Sequence, residues 1–394
     1  MNPEIPARPF TSTRPDGRFV ESAAQAQQRL KRQSPRLAFS PETPPADFSA
    51  WKRRVRERLS LLLDFPESPD QPQLLRVTAA QRDGYALEKW ELYLDEASAL
   101  PFLLLVPDSA TPDSPRPAVL CFPGSGRTKE NLAGEPELPG TRLNRPSGSG
   151  QDPLWMPNAM ALHYVRAGFV ALSVDNPAFG ETASGLLDRN ALSLSLIWQG
   201  WSYEGLAAYQ AARLLHALRD DPRVDASRIA ASGHSLGAKY ADFLGLLYPE
   251  KVSAIVHNDF IGDWRERMIA LNGEPRPEYQ IIPGFFRWFD YTDLQAALAP
   301  LPLLCSEGGR TPHLEKIAAA YHLNGEPHAL HVFHYEKFAS PEARVFDRHP
   351  IPEGITMEDY FRFANVDAPN HRFRAERAIP FLSGLWGIPP QSTS

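Results

Sequence analysis

Over residues 117–386, short apolar runs alternate with helical ones, and this alternation narrows the fold more than any other feature. PAVLCF, FVALSVD, RIAASG, VSAIVHND, LPLLCS and ALHVFHY have the length and composition of buried strands. Between and after them, NAMALHYVRAG, YEGLAAYQAARLLHALRD, GAKYADFLGLLY, LEKIAAAYH and FRAERAIPFLSGLW read as helices. A strand that is apolar on both faces must be covered on both faces. The pattern therefore predicts an α/β fold, a mostly parallel central sheet with helices on each side. QLLRVTAAQ, YALEKWELYL and LPFLLLVP come earlier, with the turn dipeptide Asp83-Gly84 between the first two. They read as antiparallel strands at the N-terminal edge of the same sheet.

Eight of the 39 prolines fall within residues 1–50. Proline fixes φ and removes a donor, so residues 1–47 are expected to run as an arm over the surface, with one short helix near residues 22–33. Such an arm is expected to be dispensable for chemistry. The main domain then spans residues 48–388. It opens with an amphipathic helix carrying Trp51, Val55, Leu59 and Leu62 on one face. Two stretches, near residues 134–157 and 336–370, lack periodicity and are expected to be loop insertions.

The charge balance excludes some functions. With 41 Lys+Arg against 47 Asp+Glu and a net charge of -6, the chain has no cationic excess for nucleic acid. No apolar run reaches the ~20 residues that a bilayer-spanning helix needs, so no membrane partner is expected. The first residues lack the apolar core of a secretory signal. Cys121 and Cys305 lie in apolar runs and read as buried free thiols, too few for a structural zinc site, and a cytoplasmic setting is expected. Arg127 and Lys129 read as part of a solvated face.

The chemistry concentrates at Gly233-His234-Ser235-Leu236-Gly237, which follows the strand RIAAS and precedes an Ala/Leu-rich helix. A G-x-S-x-G between strand and helix is a nucleophile elbow: the turn lifts the Ser235 hydroxyl clear at a helix N-terminus. Glycines suit the flanks because side chains there would meet the neighbouring strand and helix. A serine nucleophile needs a base, and His371, in the turn just before the final helix, is placed for that role, with His349 a weaker candidate. His234 is expected to pack beside the serine. His331 and His334 read as structural, and His313 and His322 as surface residues. The loop Pro123-Gly124-Ser125-Gly126 can bring backbone N–H groups close to a substrate oxygen. The expected oxyanion donors are the N–H groups of Leu236 and Ser125, with Gly126 as the adjacent possibility.

At these residues the chain resembles the α/β-hydrolase superfamily, most of all its dienelactone-hydrolase and acetylxylan-esterase-like branch, over about residues 48–386. CFPGSGRTKEN, VALSVDNPAFGET, VDASRIAASGHSLGA, HNDF, PLPLLCSEGGRTP and NVDAPNHRF carry the resemblance. It implies a triad in the order nucleophile, acid, histidine. The usual G-x-x-D acid position is Thr311 here, which cannot serve. Glu307, in the same turn, is the expected acid, and Asp259, one strand earlier, is the alternative. Asp259 could instead cap a helix over residues 261–271. Trp198, Trp201 and Tyr203 read either as a packed helix start or as the lining of a substrate pocket, with IIPGFFRWFDY as a candidate further wall.

The resulting expectation is a serine ester hydrolase that acts through an acyl-enzyme on a small-molecule ester, either a short acyl or a carbohydrate ester, with no metal or cofactor. A serine peptidase on the same fold and a non-catalytic binding protein that keeps the fold are the alternatives.

Overall fold

The computed structural model describes residues 22–67, 72–96, 98–136, 153–183, 185–273 and 278–388. Nine strands form one sheet among them: β1 (Leu74–Arg82), β2 (Tyr85–Tyr93), β3 (Ala99–Pro107), β4 (Arg116–Phe122), β5 (Val170–Val174), β6 (Val224–His234), β7 (Ala254–Asn258), β8 (Leu303–Cys305) and β9 (Leu330–Val332). Their order is β1-β2-β3-β5-β4-β6-β7-β8-β9. β1, β2, β3 and β5 pair antiparallel, and every pairing from β5 onward is parallel. This is the mixed sheet expected from the sequence.

β4 shows why a continuous apolar run is needed. Successive strand residues face opposite ways. Ala118, Leu120 and Phe122 enter one core, with Leu236, Tyr240 and Leu244 of the helix after β6. Val119 and Cys121 enter the other, with Tyr164, Phe169 and Phe373.

The register places the functional turns side by side. Phe122, the last residue of β4, pairs with Gly233 of β6, His234 pairs with Asn258 of β7, and His257 pairs with Cys305 of β8. The turns that carry Gly124–Arg127, Ser235, Asp259 and Glu307 thus leave the sheet along one edge, at the carboxyl ends of parallel strands, where open α/β sheets place their ligands.

The arm contains the expected short helix, Ser22–Arg32, but its continuation is built into the core. The Arg36 and Leu37 N–H groups donate to the Arg287 and Trp288 carbonyls, and the Phe39 N–H donates to the Asp293 carboxylate. Leu37 and Phe39 are buried, and the Phe39 ring lies 5.0 Å from that of Trp51. Deleting residues 1–40 therefore removes two core side chains, each worth ~1.5–3 kcal/mol of burial. A lowered thermal midpoint is expected, because Leu37 and Phe39 are packed into the core rather than laid over the surface as the proline content suggested. A midpoint unchanged from the full chain would show that these contacts carry no net stability.

The stretch 336–370 is less irregular than its sequence suggests: it holds the helix Met357–Ala364, capped by the Thr356 side chain and burying Tyr360 and Ala364. Of the other expected loop insertion, residues 137–152 lie outside the described residues. Among the described residues no helix is long and apolar enough to cross a membrane.

Candidate active site

Ser235 joins β6 to the helix Leu236–Leu247 with φ 53 and ψ -119, a backbone conformation that a residue with a Cβ seldom adopts. Such a conformation costs ~1–3 kcal/mol. The flanking glycines have a steric reason. A Cβ on Gly233 would lie 2.0 Å from the Gly237 carbonyl oxygen, and one on Gly237 would lie 2.3 Å from that of Phe122. The Ser235 N–H donates to the Asn258 carbonyl at 2.9 Å.

Asn258 also fixes the histidine loop. Its amide donates to the Arg372 carbonyl at 2.9 Å, and its side-chain oxygen accepts from the Arg374 N–H at 2.8 Å. One residue of β7 thereby ties the serine turn to the segment that carries His371.

His371 Nδ1 lies 2.6 Å from Glu307 Oε2. The Glu307 carboxylate is fully buried and held from several sides. The Tyr335 hydroxyl donates to Oε2 at 2.9 Å, the Arg372 N–H donates to Oε1 at 3.2 Å, and Arg374 Nε stands 3.6 Å from Oε1. Burial opposes a charge on His371, but Glu307, assisted by Asp259, outweighs it and raises the imidazole to about 9. Asp259 is near but bonded elsewhere: its Oδ1 accepts from the Phe260 N–H at 2.8 Å. Burial pushes its carboxyl above the usual range, against the pull of His371 and His257. The helix beyond it, Trp264–Ala270, receives carboxylate caps at the Trp264 and Arg265 N–H groups from Asp290.

Asp259, Glu307 and His371 each offer a donor atom within 4.8 Å of the others, a spacing that could hold a cation. Two of the three are already bonded to each other, however, and Glu307 also accepts from Tyr335 and Arg372. The cluster is therefore better described as an oriented imidazole than as an ion site.

His234 stacks on this imidazole, with ring centroids 4.5 Å apart. It is buried, and burial together with the nearby His371 holds it well below the ordinary histidine value, so it remains neutral. His349 uses its carbonyl to accept from Arg310.

The loop after β4 lies against the serine. A Cβ on Gly124 would be 3.5 Å from the Ser235 Cβ. The Asn176 side chain donates to the Gly124 carbonyl at 3.1 Å, and Arg189 Nη1 donates to the Ser125 carbonyl at 2.6 Å. In a trans peptide C=O and N–H point in opposite directions. Pinning those two carbonyls therefore fixes the directions of the Ser125 and Gly126 N–H groups. Among the described residues neither N–H, nor that of Leu236, has a protein acceptor. Arg189 is itself clamped between the Phe179 and Tyr279 rings, at 4.7 and 4.4 Å. Behind this loop Lys129 is not solvated, as its sequence context suggested, but fully buried, paired with Asp175 at 2.9 Å, Glu130 at 2.7 Å and Glu181 at 2.8 Å.

Ser235 and His371 line one cleft of about 200 Å3, with Leu236, Lys239, Asp259 and Trp264 among its other walls. Trp198 and Trp201 do not line it. Trp198 is 92% exposed, and the Trp201 indole donates to the Leu63 carbonyl. Tyr203 is buried and donates to the Pro177 carbonyl. The aromatic walls are Phe260, Trp264 and Phe361, from segments whose sequence shows only helix or loop. The IIPGFF segment does form a wall, but of a neighbouring cavity.

A serine raised between a parallel strand and a helix, in a sheet of this order, is the architecture of the α/β-hydrolases. The profile of the Abhydrolase family matches residues 6–384, and the chain belongs to that family. The chain is similar to the structure of a candidate acetyl xylan esterase from Bacteroides fragilis NCTC 9343, with 34% identity, a TM-score of 0.84 and coverage of 95% of this chain and 97% of the other. It also shares its fold with a glucuronoyl esterase from Teredinibacter turnerae T7901 (18% identity, TM-score 0.55, 95% and 94% covered). A glucuronoyl esterase from Solibacter usitatus is comparable (17% identity, TM-score 0.52, 84% and 96% covered). No curated protein matches the chain by sequence.

Proposed function

We propose that this protein is a serine carboxylic ester hydrolase that acts on a short acyl or carbohydrate ester through an acyl-enzyme. The observation that carries the proposal is the Ser235 turn sharing a cleft with a histidine bonded to a buried carboxylate. In this scheme the Ser235 hydroxyl attacks the ester carbonyl, and the free ring nitrogen of His371 takes its proton. Glu307 holds the imidazole in one tautomer and balances the imidazolium. The oxyanion receives hydrogen bonds from the Leu236 and Ser125 N–H groups, with Gly126 adjacent. His371 returns the proton to the departing alcohol. Water then repeats the sequence on the acyl-enzyme and releases the acid. No metal or organic cofactor enters the scheme. The likeness to a candidate acetyl xylan esterase supports an ester substrate and a carbohydrate as its alcohol part. A reducing, cytoplasmic setting belongs to the proposal, resting on Cys121 and Cys305, both buried and unpaired.

A panel of short- and medium-chain nitrophenyl esters beside peptide amides tests this reading. Turnover of esters alone is the expected result. Amide turnover would make the protein a peptidase, and turnover of neither would leave a binding protein.

The carbonyl clamps give a further expectation. Arg189→Ala and Asn176→Ala leave the triad in place but free the peptide planes that aim the oxyanion donors. Losing one such donor costs about 10²–10³ in kcat, so loosening its aim should cost about tenfold to a hundredfold, in kcat more than in KM. Unchanged kcat in both variants would show that the loop keeps its direction without them.

A further inference from the structure

The cleft at Ser235 shares Trp264, Arg267 and Gln280 with a second cavity of about 360 Å3, whose remaining walls include Ile281, Ile282, Pro283, Phe285 and Phe286. The polar groups at the seam between the two are one-sided. Arg267 lies 4.8 Å from the Trp264 ring and 5.9 Å from that of Tyr360, and its Nη2 meets the Met357 sulfur at 3.5 Å. Among the described residues no carboxylate stands within ion-pair range of it. The nearby acids are engaged elsewhere: Glu266 with Arg310, Asp263 with the Thr292 hydroxyl, and Asp359 with Arg362.

Lys239, the other cation lining the cleft, differs in being occupied. Its ammonium donates to Gln280 Oε1 at 2.8 Å, stands 3.4 Å from Glu204 Oε1 and lies 3.9 Å from the Trp264 ring. Because Gln280 gives its oxygen to Lys239, it has N–H donors left for a ligand. The seam therefore presents a guanidinium and an amide N–H group, both donors. Asp259 is the carboxylate among the described cleft residues, and it stands beside His371 rather than at the seam.

A guanidinium with no counter-charge among the described residues, in a partly dry site, matches a carboxylate better than any neutral group, because its fork can donate two parallel hydrogen bonds. We propose that the seam of Arg267 and Gln280 binds a carboxylate on the substrate, and that the adjoining cavity takes that substrate's apolar alkyl or aryl body. This rests on the ester-hydrolase reading and narrows it: the part of the ester lying toward the seam is an apolar acid, not a neutral sugar.

The test uses two matched pairs of esters on the full-length protein. One pair charges the acyl side, 4-nitrophenyl butyrate against the 4-nitrophenyl monoester of glutaric acid. The other charges the alcohol side, phenyl acetate against 3-carboxyphenyl acetate. In one pair the charged ester is expected to show a kcat/KM higher by about tenfold or more, chiefly through KM, the range of a charge-assisted hydrogen bond. The preference should shrink as salt rises toward ~1 M. Arg267→Gln should bring the charged-to-neutral ratio to about one, and Arg267→Lys should restore part of it, which a purely structural role would not do. A ratio of one or less in both wild-type pairs overturns the proposal. So does a ratio that survives in a folded Arg267→Gln variant. Binding of 3-phenylpropionate to Ser235→Ala, followed by tryptophan fluorescence, separates this inference from the chemistry. Arg267-dependent binding without turnover of any ester by the wild type would keep the seam and remove the ester reading. Neither binding nor turnover would remove both.

Discussion

Ser235→Ala is expected to abolish ester turnover, with a loss in kcat of roughly 10⁴-fold or more, and to prevent labelling by a fluorophosphonate probe. The expectation follows from position as much as from residue type. The serine stands at the end of β6 in a turn that tolerates no side chain at Gly233 or Gly237, so no neighbouring hydroxyl can take its place without rebuilding the turn. In the proposed mechanism His371 and Glu307 serve the same proton transfer, so losses should not be additive. Ser235→Ala combined with His371→Ala should be little worse than Ser235→Ala alone. The strained backbone adds a second readout. Glycine adopts φ 53 without penalty, so Ser235→Gly should be inactive yet melt at a higher temperature than Ser235→Ala. Labelling that persists in Ser235→Ala would move the nucleophile elsewhere, and a lower midpoint for the glycine variant would show that the turn stores no strain.

The sequence shows what depends on one segment and hides what depends on several. The central strands were visible because a doubly covered strand must be apolar throughout, whereas the exposed β1 and the half-buried β2 were legible from residue type and the Asp83-Gly84 turn between them. The serine turn was visible because its glycines are sterically required between that strand and the following helix. Glu307 could be found from its position after β8. By contrast, Asn258, Tyr335, Asn176 and Arg189 act only through hydrogen bonds to segments far along the chain: Asn258 to Arg372 and Arg374, and Arg189 to Ser125. An isolated Asn or Arg in a sequence gives no sign of such a partner, although Asn258 does lie in the HNDF stretch that carried the family resemblance. The aromatic residues misled for a related reason. Trp198 and Trp201 stand out in sequence, but the helix Arg189–Trp198 turns one to solvent and the other packs under the Leu63 carbonyl. Trp264 reaches the cleft from a seven-residue helix with no distinctive pattern. Lys129 looked solvated because it lies in a run of polar residues, but three carboxylates within ion-pair distance compensate its burial.

Glu307→Gln should lower kcat by roughly 10³–10⁴-fold, and Asp259→Asn by far less. The two carboxylates share a neighbourhood but not a contact. Glu307 Oε2 lies 2.6 Å from the His371 ring, whereas Asp259 accepts from the Phe260 N–H. Tyr335, the Arg372 N–H and Arg374 hold Glu307 in place, so the imidazole keeps one tautomer and one direction. An amide at 307 can offer its N–H group to Nδ1, which favours the wrong tautomer, with the proton on the nitrogen that must accept from Ser235. The pH profile separates this role from plain structural damage. In the proposed mechanism His371 acts as a base, which it can do only when neutral. With its value raised to about 9, kcat/KM should increase with pH through a limb centred near 9 and fall as pH drops below it. Burial alone would hold the imidazole below its ordinary value, and Glu307 is the main influence raising it. The residual activity of Glu307→Gln should therefore show its limb at distinctly lower pH. Asp259, a weaker influence in the same direction, should shift the limb less when changed to Asn, with a plateau near that of the wild type. A large loss in Asp259→Asn beside a mild one in Glu307→Gln would transfer the acid's role to Asp259. Near-normal rates in both would mean that Ser235 and His371 work as a dyad, with Glu307 serving only to set the charge of the buried pair.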